Sequence, residues 1–459
     1  MNGIKKLFSP IDMTMGRPWE GILIFTVPML IGNIAQQLYN TVDSIVVGNF
    51  VGDNALAAVG SAGPILNLLI ALFVGISTGA SIMVSQYFGA KDRQALSDTI
   101  GTCIVLTAIA SLIMMVVATV AARPLLELLK TPESIIDWCT SYLHIYFIGI
   151  AGMAYYNILS GVLRGLGDSF CALLYLIVAS LLNIVLDLVF VINFNMGVAG
   201  VALATVIAQG VSAVLCLRRL MKLKELFDFN LKCIRLHRKY AGQIIRLGVP
   251  SGVTQAIMSM AMLVVQSLTN SFGETFIASN VIVMRVDGFA MLPNFSFGTA
   301  MTTYAGQNVG ANAYDRVEKG TKQGLIMALG SSAAITGLIL IFGKGLMGIF
   351  TQTEELVNLS YQMMSILAVG YIAMAVTQTL SGVMRGAGDT MTPMWISIVQ
   401  TIVVRVALAY GLVYLSRSEE YPIGRRECIY ISLLIAWLFG AVMTSIFYAR
   451  AKWRKKGVA

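Results

Sequence analysis

Charge is scarce in this chain. Only 12% of its 459 residues are Asp, Glu, Lys or Arg, against roughly 25% in a soluble domain. With 57% apolar residues beside them, no single core could hide that much hydrocarbon from water, which excludes a soluble globular protein. Histidine is nearly missing too: His144 and His237 are the two, and neither stands in an H-E-x-x-H spacing, so a zinc hydrolase is excluded. The six cysteines, Cys103, Cys139, Cys171, Cys216, Cys233 and Cys428, are scattered without a C-x-x-C pair, which fits neither a disulfide framework nor a zinc site. No G-x-S-x-G elbow and no Walker loop is present, so serine-hydrolase chemistry and ATP hydrolysis by this chain are excluded, and the chain reads as a non-enzyme. The N-terminus lacks a short apolar stretch ending in a small-residue cleavage site, so no signal peptide is expected to be removed. The net charge of +9 has no folded soluble region on which to form a basic face, which argues against nucleic acid as a partner.

What fills the space is long apolar runs. About 20 such residues cross the hydrocarbon core as a helix, whereas barrel strands would alternate in polarity over short segments. Runs between charged or Gly/Pro-containing breaks place spans at 22–47, 55–86, 100–121, 141–163, 171–193 and 198–217. After a polar stretch they resume at 244–270, 277–307, 323–343, 358–384, 392–416 and 428–449. The class is all-α and polytopic, with 12 transmembrane helices. With the N-terminus inside, the cytoplasmic segments carry 24 of the 32 Lys and Arg residues and the outer ones 6, with Arg285 and Arg405 inside spans. That asymmetry puts both termini on the cytoplasmic side.

The chain also repeats itself. LSGVLRGLGD at 159–168 and LSGVMRGAGD at 380–389 agree at eight of ten positions, at an offset of 221. The same offset aligns QYFGA at 86–90 with QNVGA at 307–311, and an offset of 222 aligns Pro28 with Pro250. Two halves follow: 1–222 as an N-terminal six-helix lobe and 243–459 as a C-terminal one, joined by a basic cytoplasmic linker at 223–242. Six spans per half give both the same orientation, so that rocking of one against the other would provide alternating access. A duplicated bundle would also suit a receptor or scaffold, but polar residues inside the spans favour transport.

Those polar residues are Asp43, Asp187, Asp287, Arg285 and Arg405. An ionisable group at mid-bilayer costs roughly 2.5–3.5 kcal/mol. Asn183 stands four residues before Asp187, on one helical face, and Thr205 lies in the next span. At 1.5 Å per residue, Asp43, Asp187 and Thr205 sit about 6–10 Å below the outer boundary. Three helices of one half thus offer oxygens at one level, a set that suits a hard cation such as Na⁺. Paired carboxylates there would equally hold H⁺. Arg285 and Asp287 are two apart and point to different faces, so they cannot form a simple facing pair.

At this point the motifs become recognisable. The doubled LSGV-x-RG-x-GD, the VPM around Pro28, YNTVDSIVVG around Asp43 and QYFGAKD resemble the MATE (multidrug and toxin extrusion) family over essentially the whole chain, and within it the bacterial MepA-like branch. The resemblance implies two pseudo-symmetric six-helix lobes in a V shape, located in the cell membrane, that export lipophilic, often cationic compounds in exchange for entering H⁺ or Na⁺. It implies no further cofactor, no obligate protein partner, and a cation-coupling set of Asp43, Asn183, Asp187 and Thr205. It also implies that Gln36, Tyr39, Asn157 and Ser180 line a substrate cavity and that span one bends at Pro28, where a proline removes a backbone hydrogen bond. Members of another branch carry carboxylates in spans seven and ten, and the matching stretches here have none, so no coupling site is expected in the second lobe. The alternative cargo is a lipid-linked saccharide, which related flippases carry.

Overall fold

A computed structural model describes residues 9–128, 131–228, 233–450, 454 and 457. It is helical throughout its regular structure, with no strand among the described residues. The first half runs α1 (Pro18–Val46), α2 (Asp53–Gly89), α3 (Arg93–Leu128), α4 (Glu133–Ile148), α5 (Ile150–Gly165), α6 (Ser169–Leu188) and α7 (Gly197–Lys222). The second runs α8 (Arg238–Asn270), α9 (Glu274–Ala290), α10 (Leu292–Gly310), α11 (Tyr314–Gly348), α12 (Glu354–Gly386), α13 (Met391–Ile398), α14 (Ala407–Leu415) and α15 (Glu427–Ala449). Among the described residues, eleven stretches are long and apolar enough to cross a membrane, and α4 with α5, bent by 53°, supplies a twelfth when the pair is taken as one span. Most helices overrun the apolar runs at both ends; the third span, for example, extends from Arg93 to Leu128.

Among the described residues, three π-helical turns interrupt this regularity: Val47–Val51 after α1, Val189–Asn193 after α6, and Val399–Val406 between α13 and α14. Such turns widen a helix locally and concentrate at functional sites. Here the first two follow the helices that carry Asp43 and Asp187, and the third contains Arg405.

The repeated motif is a packing and turning device in each half. In the first, α5 lies on α2: a methyl placed on Gly161 would stand 2.3 Å from Ser77 Oγ, and one on Gly165 2.7 Å from the Ser81 carbonyl. In the second, α12 lies on α10, with a methyl on Gly382 at 2.3 Å from the Gly298 carbonyl and one on Gly386 at 2.2 Å from the Thr302 carbonyl. Only a residue without Cβ permits these approaches. Gly167 and Gly388 then turn the chain at φ of 86° and 92°, and the acid that follows caps the next helix. Asp168 Oδ1 accepts from the Cys171 amide at 3.2 Å and Asp389 Oδ1 from the Thr392 amide at 3.3 Å. Arg219 holds the other Asp168 oxygen at 2.7 Å in a buried ion pair.

The chain divides into two compact units. One holds the residues up to Asp12 and Val27–Gly252; the other holds Met13–Thr26 and Val253 onward. Both boundaries inside helices therefore fall beside a proline, at Pro28 of α1 and Pro250 of α8. In the second unit the backbone around Met13 is gripped by polar side chains: Gln307 accepts from the Met13 amide at 2.8 Å, and Arg316 donates to the carbonyls of Met13, Met15 and Gly16 at 3.0 Å each. The first unit treats the segment before α8 the same way, with Arg93 donating to the Lys224 and Glu225 carbonyls. Also within it, Gly75 and Gly79 let α2 meet Gly248 of α8, since a methyl on Gly79 would stand 2.3 Å from the Ile244 carbonyl.

Candidate functional site

The polar level expected in the first half forms around α6. Asn183 and Asp187, one helical turn apart, are both buried, at 1% and 0% exposure. In the amide orientation that satisfies both of its ends, Asn183 Nδ2 donates to Asp187 Oδ2 at 2.9 Å and to Tyr39 Oη of α1 at 3.3 Å. Thr205 Oγ1 of α7 lies 3.3 Å from the same amide. Three helices thus deliver a carboxylate, an amide, a hydroxyl and a phenol to one buried spot, at the end of α6 that opens into the π-helical turn Val189–Asn193. An oxygen-rich set of this kind binds hard cations or a proton. Buried polar groups in such a chain cost free energy unless they are paired or occupied.

Of the expected coupling set, Asn183, Asp187 and Thr205 come together. Asp43 falls near the end of α1 one turn after Tyr39, and its side chain lies outside the described residues. Among the expected cavity residues, Tyr39 joins the cluster itself. Gln36 is exposed, three residues before Tyr39 on the same face of α1. Asn157 Nδ2 donates to the Met153 carbonyl at 2.9 Å and Ser180 Oγ to the Leu176 carbonyl at 2.9 Å, so both bond back to their own helices. Pro28 is buried inside α1, which continues through it. The missing N–H leaves the helix one hydrogen bond short there, and Thr26 bonds back to the Ile22 carbonyl at 2.7 Å just before it.

The second unit holds a polar centre of another kind. Tyr371 of α12 donates to Asp287 Oδ1 at 2.7 Å, and Tyr430 of α15 donates to Asn280 Oδ1. The guanidinium of Arg405 lies within electrostatic range of Asp287 and Tyr430. Tyr371, Tyr430 and Asn280 were not singled out by sequence. Tyrosines inside apolar spans were the available signal, because a buried phenol needs a hydrogen-bond partner. No group of three or more His, Cys, Asp or Glu side chains able to hold a metal occurs among the described residues.

Comparison with known proteins adds the lineage. The MatE family model matches twice, at residues 28–189 and 250–411, two segments of equal length displaced by 222, within one residue of the offset of the repeated motif. The chain is 28% identical over 96% of its length, and 95% of the relative's, to the probable multidrug resistance protein YoeA of Bacillus subtilis. It is 21% identical over 84% of its length, and 85% of the relative's, to the multidrug export protein MepA of Staphylococcus aureus. Among solved structures, an outward-facing multidrug resistance MATE transporter of the MOP superfamily superposes with a TM-score of 0.88 at 24% identity, covering 98% of both chains. A MOP superfamily transporter from Pyrococcus furiosus, described as having a binding pocket of reversed polarity, superposes with a TM-score of 0.88 at 24% identity over 96% of this chain and 97% of its own.

Proposed function

Since the chain belongs to the MatE family and is a multi-pass membrane protein, we propose that it is a cation-coupled antiporter that exports lipophilic, often cationic compounds by alternating access. The coupling centre in this reading is Asp187 with Asn183 and Thr205 around it, joined by Tyr39 and by Asp43 on the same helix. The observation that carries it is the buried carboxylate itself. Asp187 is fully enclosed in a membrane-spanning helix with amide, hydroxyl and phenol oxygens around it, an arrangement whose energetic cost is offset when H⁺ or Na⁺ binds. Names of the relatives as multidrug transporters support the cargo class. The charge bias of the polar segments supports both termini on the cytoplasmic side of the cell membrane.

Work follows from competition. An ion entering down its gradient neutralises Asp187 and changes how Tyr39 of α1 bonds to the cluster. Because α1 carries Pro28 near where it leaves the first unit, a change at Tyr39 acts on a helix already weakened at one point. Cargo release then couples to the occupied state by differential affinity, the one way an ion can shift a conformational equilibrium.

The test is efflux of a cationic dye from proteoliposomes under separately imposed proton and sodium gradients. The reading requires that one gradient drive export in the wild-type chain and that Asp187→Asn, inserted and monodisperse, abolish it. Export at wild-type rates from the Asp187→Asn vesicles would overturn the coupling assignment. A lipid-linked saccharide as cargo is the second reading, with Arg285 and Arg405 as the cations within the spans to hold a pyrophosphate. Binding of such a lipid without gradient-driven dye export would favour it.

A further inference from the structure

The second unit contains a charge pair that the coupling centre does not use. Asp287 lies thirteen residues into α9 and Arg405 ten residues from the end of α14, which puts them about 20 Å and about 15 Å along their spans. Both are half-buried, so each keeps accessible surface deep in a helix bundle. Their partners are unequal. Asp287 Oδ1 is held by Tyr371, whose ring packs 5.7 Å from that of Trp437, and Tyr371 itself is fully buried. Arg405 makes no hydrogen bond or ion pair with any described residue, although Asp287 is near enough to act on it electrostatically.

A guanidinium carries five N–H donors in a fixed fork. Leaving all five without protein acceptors inside a membrane span is expensive, and a pinning role would have closed the ion pair with Asp287. The backbone also serves presentation rather than packing. Arg405 stands in the eight-residue π-helical turn Val399–Val406, and π-turns rotate side chains out of helical register. Meanwhile Asp287 has one oxygen fixed by Tyr371 and the other without a described donor, a held acceptor within electrostatic range of an uncommitted guanidinium.

We propose that Arg405 and Asp287 form a subsite for a zwitterionic group: the guanidinium fork takes a carboxylate or phosphate oxygen pair, and the Tyr371-held carboxylate takes the neighbouring ammonium. Arg is suited to such planar oxygen pairs in a way that Lys is not. The same chemistry is offered by an amphiphilic amino acid-like compound and by a phosphoethanolamine lipid headgroup. The subsite refines the export reading by naming a cargo class and rests on it only for the direction of transport, since binding needs no gradient.

The test uses the purified full chain in detergent and three probes sharing one apolar aromatic frame, bearing an ammonium alone, a carboxylate alone, or both, with affinities from equilibrium dialysis. The wild-type chain is expected to favour the zwitterion over the ammonium probe by roughly tenfold to a hundredfold, the worth of one charged, two-pronged contact. That ratio is expected to collapse toward unity in R405Q and to fall several-fold in R405K, with R285Q, two residues from Asp287 and facing elsewhere, keeping the wild-type ratio. Parity of the probes in the wild-type chain overturns the proposal without reference to any variant, as does an unchanged ratio in R405K. Adding phosphatidylethanolamine assigns the source: displacement of the zwitterionic probe in wild type but not in R405K marks a headgroup site, and no displacement marks a free compound. Loss of gradient-driven export with the ratio intact would sink the coupling reading alone, and the reverse would sink the subsite alone.

Discussion

The two halves repeat one scaffold and fill it with opposite chemistry. In the first, Asn183, Asp187, Thr205 and Tyr39 close on one another as a cluster without a cationic side chain, knitted together by the Asn183 amide. In the second, the register that carries Asn183 and Asp187 has become valine and leucine with Arg405 among them, and the carboxylate has moved to α9 as Asp287. The fourth span shows the same divergence. Gly149 and Gly370 are repeat equivalents, each pressed by a neighbouring side chain, Val206 in one case and Trp437 in the other. Yet the chain breaks by 53° at Gly149 and runs on as α12 through Gly370. Ile150 follows the break, while its equivalent Tyr371 continues the helix and reaches Asp287. Duplication therefore preserved the glycine contacts that set helix separation and left the polar interior free to diverge, because packing depends on backbone approach and coupling depends on a few side chains.

That comparison can be broken by experiment. The largest effect is expected at the first centre: Asp187→Asn should lower gradient-driven dye efflux by more than about tenfold, the worth of a charged hydrogen-bonded group. Asn183→Ala should lower it less, and an equal loss in both would mean that the cluster acts as a structural unit. Next come the shared contacts. Gly382→Ala meets a backbone carbonyl at 2.3 Å, whereas Gly161→Ala meets a backbone carbonyl, that of Ser77, only at 2.9 Å once the Ser77 hydroxyl swings aside. The former should cost about 1–3 kcal/mol of stability and the latter less, read as the order of their thermal midpoints in detergent. The reverse order would show the halves to be packed differently from what their glycines indicate.

Tyr371→Phe removes the hydrogen bond to Asp287 and should cost roughly 1–2 kcal/mol, with a matching drop in the midpoint. An unshifted midpoint would mean that another donor replaces the phenol. The smallest effect belongs to the segment around Met13. Arg316→Gln deletes donors to three of its carbonyls, partly in water, and should quicken hydrogen exchange of the Met13–Gly16 amides several-fold without shifting the global midpoint, because such a segment opens locally.

Much of this was legible before any coordinates. Long apolar runs, the Lys and Arg asymmetry and the 221-residue repeat require twelve helices in two related halves, and the span count holds in the structure. Asn183 and Asp187 were placed on one face by their spacing alone, and Thr205 by its depth, because helical rise converts sequence number into height. Height does not convert into rotation, so the contacts of Asn183 and Ser180 could not be told apart: one faces Asp187 and the other bonds back to Leu176. Asp287 and Arg405 were visible as charges in spans, but their relation was not, since they lie 118 positions apart and meet only when α9, α12 and the π-turn pack.

Composition and periodicity by themselves determined that this chain lives in a bilayer, that it is duplicated, and that Asn183 and Asp187 share one helical face in its first half, because each of these follows from hydrocarbon, repetition or spacing along one helix. Which side chains touch was decided by tertiary structure alone. It put Tyr39 on Asn183, Tyr371 on Asp287 and the motif glycines against facing carbonyls, through crossings set by backbone approach. The three π-turns belong to the same category: an extra residue in a helical turn leaves no mark on hydropathy, yet it reorients every side chain beyond it.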